Sequence, residues 1–508
     1  HHDHAPGAHA GERIGTVSFP NSGSAAAQRP FLRGFALLHS FEYDDARTAF
    51  REAQRADSGF AMAYWGDALT FAQLLWGLDY ADSARAALAR LGPSRDARLA
   101  RARTERERRY GAAVEALFDT TSTQSRVRGY VAGLRAVAAT YPNDLDARAL
   151  LAVSLLMDQG GSAEQVKART EESIALAQSV FAKAPQHPGG AHYLIHAADN
   201  PKYAAKGLAA ARAYAKIAPD AEHALHMPSH IFVQVGAWDD VVSSNERAWP
   251  ASRAWVKSHG VPNTELSFHA LWWLQYGYLQ QGRFGAAKAL LDTVQVVLDG
   301  IDWATSDAID ARYAAEQFRF SYARESGDWT VYGGRAPARV VANRKVMGNR
   351  AESFGAMETY RIAFVAALLG DTAKAKEVMD SLPERAAITR GELAGLLAKA
   401  RGDTANWIAS LEAAAKLDAS VAHLGPPNSF PPHELLGDAL FAVGRVHDAV
   451  AAYQTELELM PNRSGTLLAL ARAQRKAGDG AGAASTEARL RENWRAADAG
   501  VVTRLGER

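Results

Sequence analysis

From Pro30 to about residue 495, apolar residues recur at i, i+3, i+4 and i+7, the spacing that lines one face of an amphipathic helix. Alternating, strand-like runs are scarce. Short breaks at Pro185, Pro219, Gly236, Gly282 and Gly444 divide the pattern into successive helices. Longer irregular stretches are expected near 328–347, around Gly333, Gly334 and Pro337, and at 422–432, around Pro426, Pro427, Pro431 and Pro432. Residues 1–29, rich in Gly, Ala, Ser and His, have no helical period and read as an extended or flexible arm. The expected class is all-α.

The helices repeat. In a 34-residue frame, Gly437, Leu440, Gly444, Ala449, Tyr453 and Pro461 take positions 8, 11, 15, 20, 24 and 32, and Gly478 and Ala483 return to 15 and 20 one unit later. Gly34, Tyr43, Ala46, Phe50 and Ala53 take 8, 17, 20, 24 and 27. Gly236, Trp238 and Ala248 take 15, 17 and 27, and Gly282, Phe284 and Ala287 take 15, 17 and 20. Small residues let the two helices of a unit approach, and large ones fill the gap between them. This pattern resembles the tetratricopeptide repeat (TPR) family over most of 30–495. The phrases HPGGAHYLIHAADNP, APDAEHALHMPSHIFVQVGAWDD, FLRGFALLHSFEYDDARTAF, LSFHALWWLQYGYLQQGRF and PPHELLGDALFAVGR also look like a group of bacterial TPR proteins with no established activity. The resemblance implies a right-handed α-solenoid whose first helices (A helices) present positions 2, 5, 9, 12 and 13 to a concave groove. It also implies a peptide, protein or small-molecule ligand in that groove. The expected divisions are the arm at 1–29, N-terminal repeats at 30–160, central repeats at 161–300, degenerate repeats at 301–421 and C-terminal repeats at 422–508.

Bulk properties narrow the partners. A chain of 508 residues exceeds one ordinary globular core, which suits a repeat array. Charge is balanced, with 57 Lys+Arg against 56 Asp+Glu and no basic block, so a nucleic-acid footprint is not expected. No apolar run is long enough to predict a transmembrane helix. The absence of cysteine excludes disulfides and thiolate ligands or nucleophiles. The chain opens on His1, His2, Asp3 and His4 with no initiating Met, so an exported protein (periplasmic or extracellular) is expected, with a cytoplasmic one as the alternative.

The distinctive chemistry lies at 187–230, which holds six of the 16 histidines, His187 included. His192 and His196 are spaced i, i+4 and share a helix face, as do His226 and His230. The second pair follows the first by 34 residues, one repeat, so both pairs take positions 5 and 9. Asp199 falls at position 12, His223 at position 2, and His269 at position 2 of a following unit. All are groove positions, on A helices that pack about 8–10 Å apart. Imidazoles with a nearby carboxylate predict a transition-metal site, zinc or copper with iron as a third possibility. The expected ligands are His192, His196, His226 and His230, with His223, Asp199 and His269 in support. Isolated groove histidines are usually solvated or structural, but two pairs in repeat register are harder to explain that way.

Asp199 and Glu222 are the candidate acid–base groups should the site be catalytic. Trp272 and Tyr276, at positions 5 and 9, and Trp65 are expected to line a ligand groove, while Trp273 reads as core. His39, His433 and the N-terminal HHDH are weaker metal candidates. The leading expectation is a binding solenoid with a metal site. A metalloenzyme, hydrolase or oxidoreductase, is the alternative, followed by a metal-free or self-assembling scaffold.

Overall fold

The computed structural model describes residues 11–301, 309–338, 350–419, 421 and 423–506. Among the described residues the chain is all-helical, and within each unit most helices pack on a neighbour in sequence. It divides into two compact units, His1–Ile231 and Phe232–Arg508.

The repeat frame sets where helices begin. The residue at position 17 starts the second helix of a unit at Tyr43, Trp238, Phe284 and Val446. Position 15 is the preceding turn, where Gly282 and Gly444 adopt φ of +68° and +83°, a left-handed conformation that suits glycine. The position 8–24 contact is also realised. A Cβ on Gly34 would stand 3.0 Å from the Phe50 ring, and one on Gly437 would overlap the Tyr453 ring. The TPR-type helix pair therefore follows from small residues that admit an aromatic ring from the partner helix.

In the first unit the helices are α1 (Ala25–His39), α2 (Tyr43–Ala56), α3 (Ala61–Leu69), α4 (Ala81–Ala89), α5 (Arg95–Leu99), α6 (Glu105–Leu117), α7 (Thr123–Thr140) and α8 (Leu145–Met157). They continue as α9 (Ala163–Lys183), α10 (Pro188–Ala198), α11 (Ala204–Ile217), α12 (Glu222–His226) and α13 (Pro228–Gln234), the unit ending within α13. Besides packing in sequence, α1 also lies against α10. The arm reinforces this closure. Residues 12–24 run without helix along the unit, the Thr16 N–H donating to the Gln186 carbonyl and the Asp220 N–H to the Arg13 carbonyl. Phe19 is buried edge-on against Phe31, Phe35 and Tyr110. The HHDH candidate lies outside the described residues.

The second unit has its own interior. Arg463 is buried and ion-paired to both Glu325 and Glu434, while the Trp238 indole donates to the Asn462 carbonyl. The aromatic expectations are corrected here. Trp272 is buried with its indole N–H donating to Ser321 Oγ at 2.9 Å, and Tyr276 is buried edge-on to Trp238. In the first unit Trp65 is fully buried, donating to Glu115 Oε1 at 3.2 Å. All three fill gaps between helices, because rings of that size at repeat positions bury more area inward than along a groove. Trp273 is core, as expected.

Candidate metal centre

Three short elements bring the histidines of the first unit together. Pro188 opens α10 at a position where its missing N–H costs nothing. Gly189 follows, and any Cβ there would come within 2.5 Å of His39 Nδ1, so glycine is what lets α1 reach α10. One repeat later Pro228 cannot donate to the carbonyl of Ala224, and the helix divides into α12 and α13. Met227 between them keeps right-handed helical angles (φ −53°, ψ −35°), so His226 and His230 still share one face.

Hydrogen bonds fix the rings. His192 Nδ1 lies 2.6 Å from the carbonyl oxygen of His39. A carbonyl only accepts, so Nδ1 carries the hydrogen and Nε2 presents a lone pair. That Nε2 is 3.1 Å from His196 Nε2. The second pair repeats the arrangement: His230 Nδ1 donates to Asp199 Oδ2 at 2.7 Å, and its Nε2 is 3.1 Å from His226 Nε2. Ser229 Oγ donates to the His226 carbonyl and lies 3.4 Å from His226 Nδ1. Nitrogens about 2.0–2.1 Å from a common ion stand about 3–3.4 Å apart, so each pair has the spacing of two ligands on one metal. His192, His196 and His223 each offer a nitrogen within 4.8 Å of the others. His223 Nε2 is buried without a hydrogen-bond partner. The ring centroids of His196 and His230 are 6.3 Å apart, and those of His223 and His226 6.4 Å, so the five imidazoles form one contiguous array.

The array is largely withdrawn from solvent, where groove-lining side chains were expected. His192 and His226 are buried, while His196, His223 and His230 are half-buried. The cover comes from the α1–α2 turn. Phe41 sets its ring 4.5 Å from His192, 5.4 Å from His196 and 5.7 Å from His223. Trp76 meets His223 edge-on at 5.7 Å while remaining 38% exposed, and Tyr214 stacks on His192 at 5.1 Å. Phe41 has φ +59° and occupies position 15, where other units carry glycine. A bulky residue in that conformation costs about 1–3 kcal/mol, and here it is held where its ring caps the imidazoles.

Burial makes these imidazoles reluctant to take a proton. It pushes His192 down to about 3, and burial together with neighbouring imidazoles pushes His196 and His223 well below the usual histidine range. Glu42, next after Phe41, accepts from the His223 backbone N–H at 3.0 Å. Its own burial, then the nearby Glu222, pushes its carboxyl up to about 8. Asp199, in contrast, is committed to His230.

Beneath the array lies a second cluster. His39 is fully buried, its Nδ1 3.0 Å from the Tyr193 hydroxyl, and burial lowers it to about 4 despite the nearby Asp146 carboxylate. His187 Nε2 is 2.9 Å from Asp146 Oδ1. Burial works to raise the Asp146 carboxyl, but the contacts of His187 and His39 outweigh it and hold the group at about 2. Of the remaining candidates, His269 belongs to the second unit, exposed, its ring 5.5 Å from Trp273. His433, also in the second unit, is half-buried near Asp418 and His423.

Reading from the sequence missed Phe41, Glu42, Asp146 and His187. Only Phe41 left a signal, as a large residue at the glycine turn of its repeat. No family model and no curated protein matches the chain. Among solved structures, the chain is similar to the anaphase-promoting-complex hetero-tetramer Cut9–Hcn1 (14% identity, 95% of this chain and 76% of that one, TM-score 0.38). It is also similar to the P58(IPK) TPR domain (12%, 89% and 99%, 0.22) and to the human IFIT1 dimer with m7Gppp-AAAA (13%, 91% and 95%, 0.33). At these scores the fold assignment rests on the helix pairs themselves.

Proposed function

We propose that the chain is a metal-binding TPR-type protein whose first unit holds a transition ion on His192, His196 and His223, with His226 and His230 completing or extending the site. The observation that carries this reading is the 3.1 Å approach of His192 Nε2 to His196 Nε2, with His192 oriented from behind by the His39 carbonyl. Ligating histidines commonly donate their other N–H to a carbonyl or carboxylate, which fixes the tautomer. His230 on Asp199 has the same support. All-imidazole donors suit zinc or copper, with iron less favoured in the absence of a carboxylate ligand. Closure by Phe41 favours retention of the ion, and a peptide, protein or small molecule is the corresponding ligand of the repeat surface.

A metalloenzyme is the second reading, favoured by Glu42. A carboxyl raised by burial and by Glu222 beside His223 is suited to move a proton near neutral pH. In that reading Asp199 orients His230 and Glu42, paired with Glu222, takes the acid–base role.

The test is elemental analysis by plasma mass spectrometry of protein purified without chelator or nickel resin. A loss of one equivalent of transition ion from the wild-type content in the His192→Ala/His196→Ala variant, with helicity unchanged, supports the reading. No retained or incorporated zinc, copper or iron sinks it and leaves a metal-free binding scaffold.

A further inference from the structure

His39, Asp146 and His187 form a cluster apart from the five-histidine array, drawn from α1, the second residue of α8 and the residue before α10. Their exposures are 0%, 2% and 3%. One nitrogen or oxygen from each lies within 4.8 Å of the other two. His187 Nε2 is 2.9 Å and His39 Nε2 3.4 Å from the same oxygen, Asp146 Oδ1.

As a hydrogen-bond network the cluster is incomplete. His39 Nε2, despite its 3.4 Å approach, makes no hydrogen bond, and neither does His187 Nδ1, although both atoms are buried. Buried polar atoms are rarely left in that state. The charge is also unbalanced. Among the described residues Asp146 is ion-paired only to the two imidazoles. A buried carboxylate facing two imidazoles is a donor set that a cation would complete.

We infer that His39, Asp146 and His187 bind a second divalent ion of the zinc type, in a closed structural site distinct from the histidine array. The donor set is two imidazole nitrogens and a carboxylate oxygen, which suits zinc. The 3.4 Å separation of His39 Nε2 from Asp146 Oδ1 matches two ligands on a tetrahedral ion with bonds of about 2.0–2.1 Å. His39 as an Nε2 ligand donates its Nδ1–H to the Tyr193 hydroxyl oxygen, 3.0 Å away, which is the support a ligating histidine takes. Full enclosure leaves no position open to a substrate, so the ion joins α1, α8 and α10 instead of acting on a ligand. Through the backbone of His39 it also steadies the carbonyl that orients His192.

The experiment loads full-length protein with zinc, removes excess by gel filtration, and measures zinc per chain in wild type, Asp146→Asn, His187→Gln and His192→Ala/His196→Ala, with helicity checked by circular dichroism. The expected result is a loss of one equivalent in Asp146→Asn and in His187→Gln, while His192→Ala/His196→Ala retains an equivalent that shows mixed imidazole and carboxylate ligation by X-ray absorption. Equal zinc content in wild type, Asp146→Asn and His187→Gln overturns the inference while leaving the array intact as a metal site. Loss of all zinc in His192→Ala/His196→Ala alone overturns it in the same way. One equivalent lost only with Asp146 or His187 upholds it and removes the array. If Asp146→Asn and His187→Gln lose helicity, the absorption spectrum of the His192→Ala/His196→Ala protein decides alone, and a zinc-free protein there is a negative.

Discussion

The Nδ1–H of His192 donates to the carbonyl oxygen of His39 across 2.6 Å, joining residues 153 positions apart in the chain. This bond decides which nitrogen of His192 is available. It also ties the first helix of the unit to the helix carrying the first histidine pair. The array therefore depends on closure of the whole first unit.

Asp199→Asn keeps the shape of the side chain but weakens the acceptor for His230 Nδ1–H, 2.7 Å away. Loss of such an orienting partner typically lowers metal affinity about 10–100-fold. A competition titration against a chromogenic chelator should find weakening in this range with an unchanged thermal midpoint of the metal-free protein. Unaltered affinity would place His230 outside the metal shell.

Metal binding should resist acid. Protons compete with a metal only below the pKa of each free ligand, and in the folded protein His192 sits near 3, with His196 and His223 well below the usual value of 6.5. His192 is thus already neutral at pH 5, and His196 and His223 take up a proton less readily than a free imidazole, so affinity should fall less from pH 7 to pH 5 than it does for solvated imidazoles. A solvated tri-histidine peptide would weaken steadily over that interval. Metal retention by equilibrium dialysis at pH 7, 6 and 5 checks this.

Phe41→Gly relieves a left-handed backbone at φ +59° but removes the ring that covers His192, His196 and His223. The two effects oppose each other in stability, by about 1–3 kcal/mol for the backbone term. They do not oppose each other in exchange kinetics, because losing the ring uncovers three of the imidazoles while relief of the backbone uncovers none. Metal release to a chelator, followed by stopped flow, should accelerate at least about tenfold, a change of about 1.4 kcal/mol in the barrier.

In the second unit Glu456 is fully buried, both carboxylate oxygens lack hydrogen bonds, and burial raises its pKa to about 8. A raised carboxyl binds a proton in the folded state that the unfolded chain has released, so stability falls as pH rises from about 4.5 to 8. The slope from this single group is about 1.4 kcal/mol per pH unit. Glu456→Gln should remove that slope, becoming more stable than wild type at pH 8 and little different near pH 4.5. Urea melts at both values give the comparison, and a parallel shift at the two pH values would contradict it.

The frame of 34 residues was legible in the sequence because it is a local property. Gly34 must face Phe50, and Gly437 must face Tyr453, whatever the rest of the chain does. The turn glycines and the helix starts at position 17 follow from the same short-range packing. The i, i+4 histidine pairs were legible for the same reason, since one helical turn places His192 beside His196 and His226 beside His230. What the sequence could not supply is which surface those pairs meet. That depends on α1 returning to α10, a contact between residues about 150 apart, and it turned an expected groove into a covered cluster. The same closure placed His39, Asp146 and His187 together from three separate helices or their ends, with no spacing to announce it. Trp65, Trp272 and Tyr276 went the opposite way, from expected groove residues to core, because repeat position fixes a direction around the helix but not whether a neighbouring element covers it. Local geometry set the repeats and the pairs. Long-range burial decided which imidazoles lose water, and hence which can hold an ion.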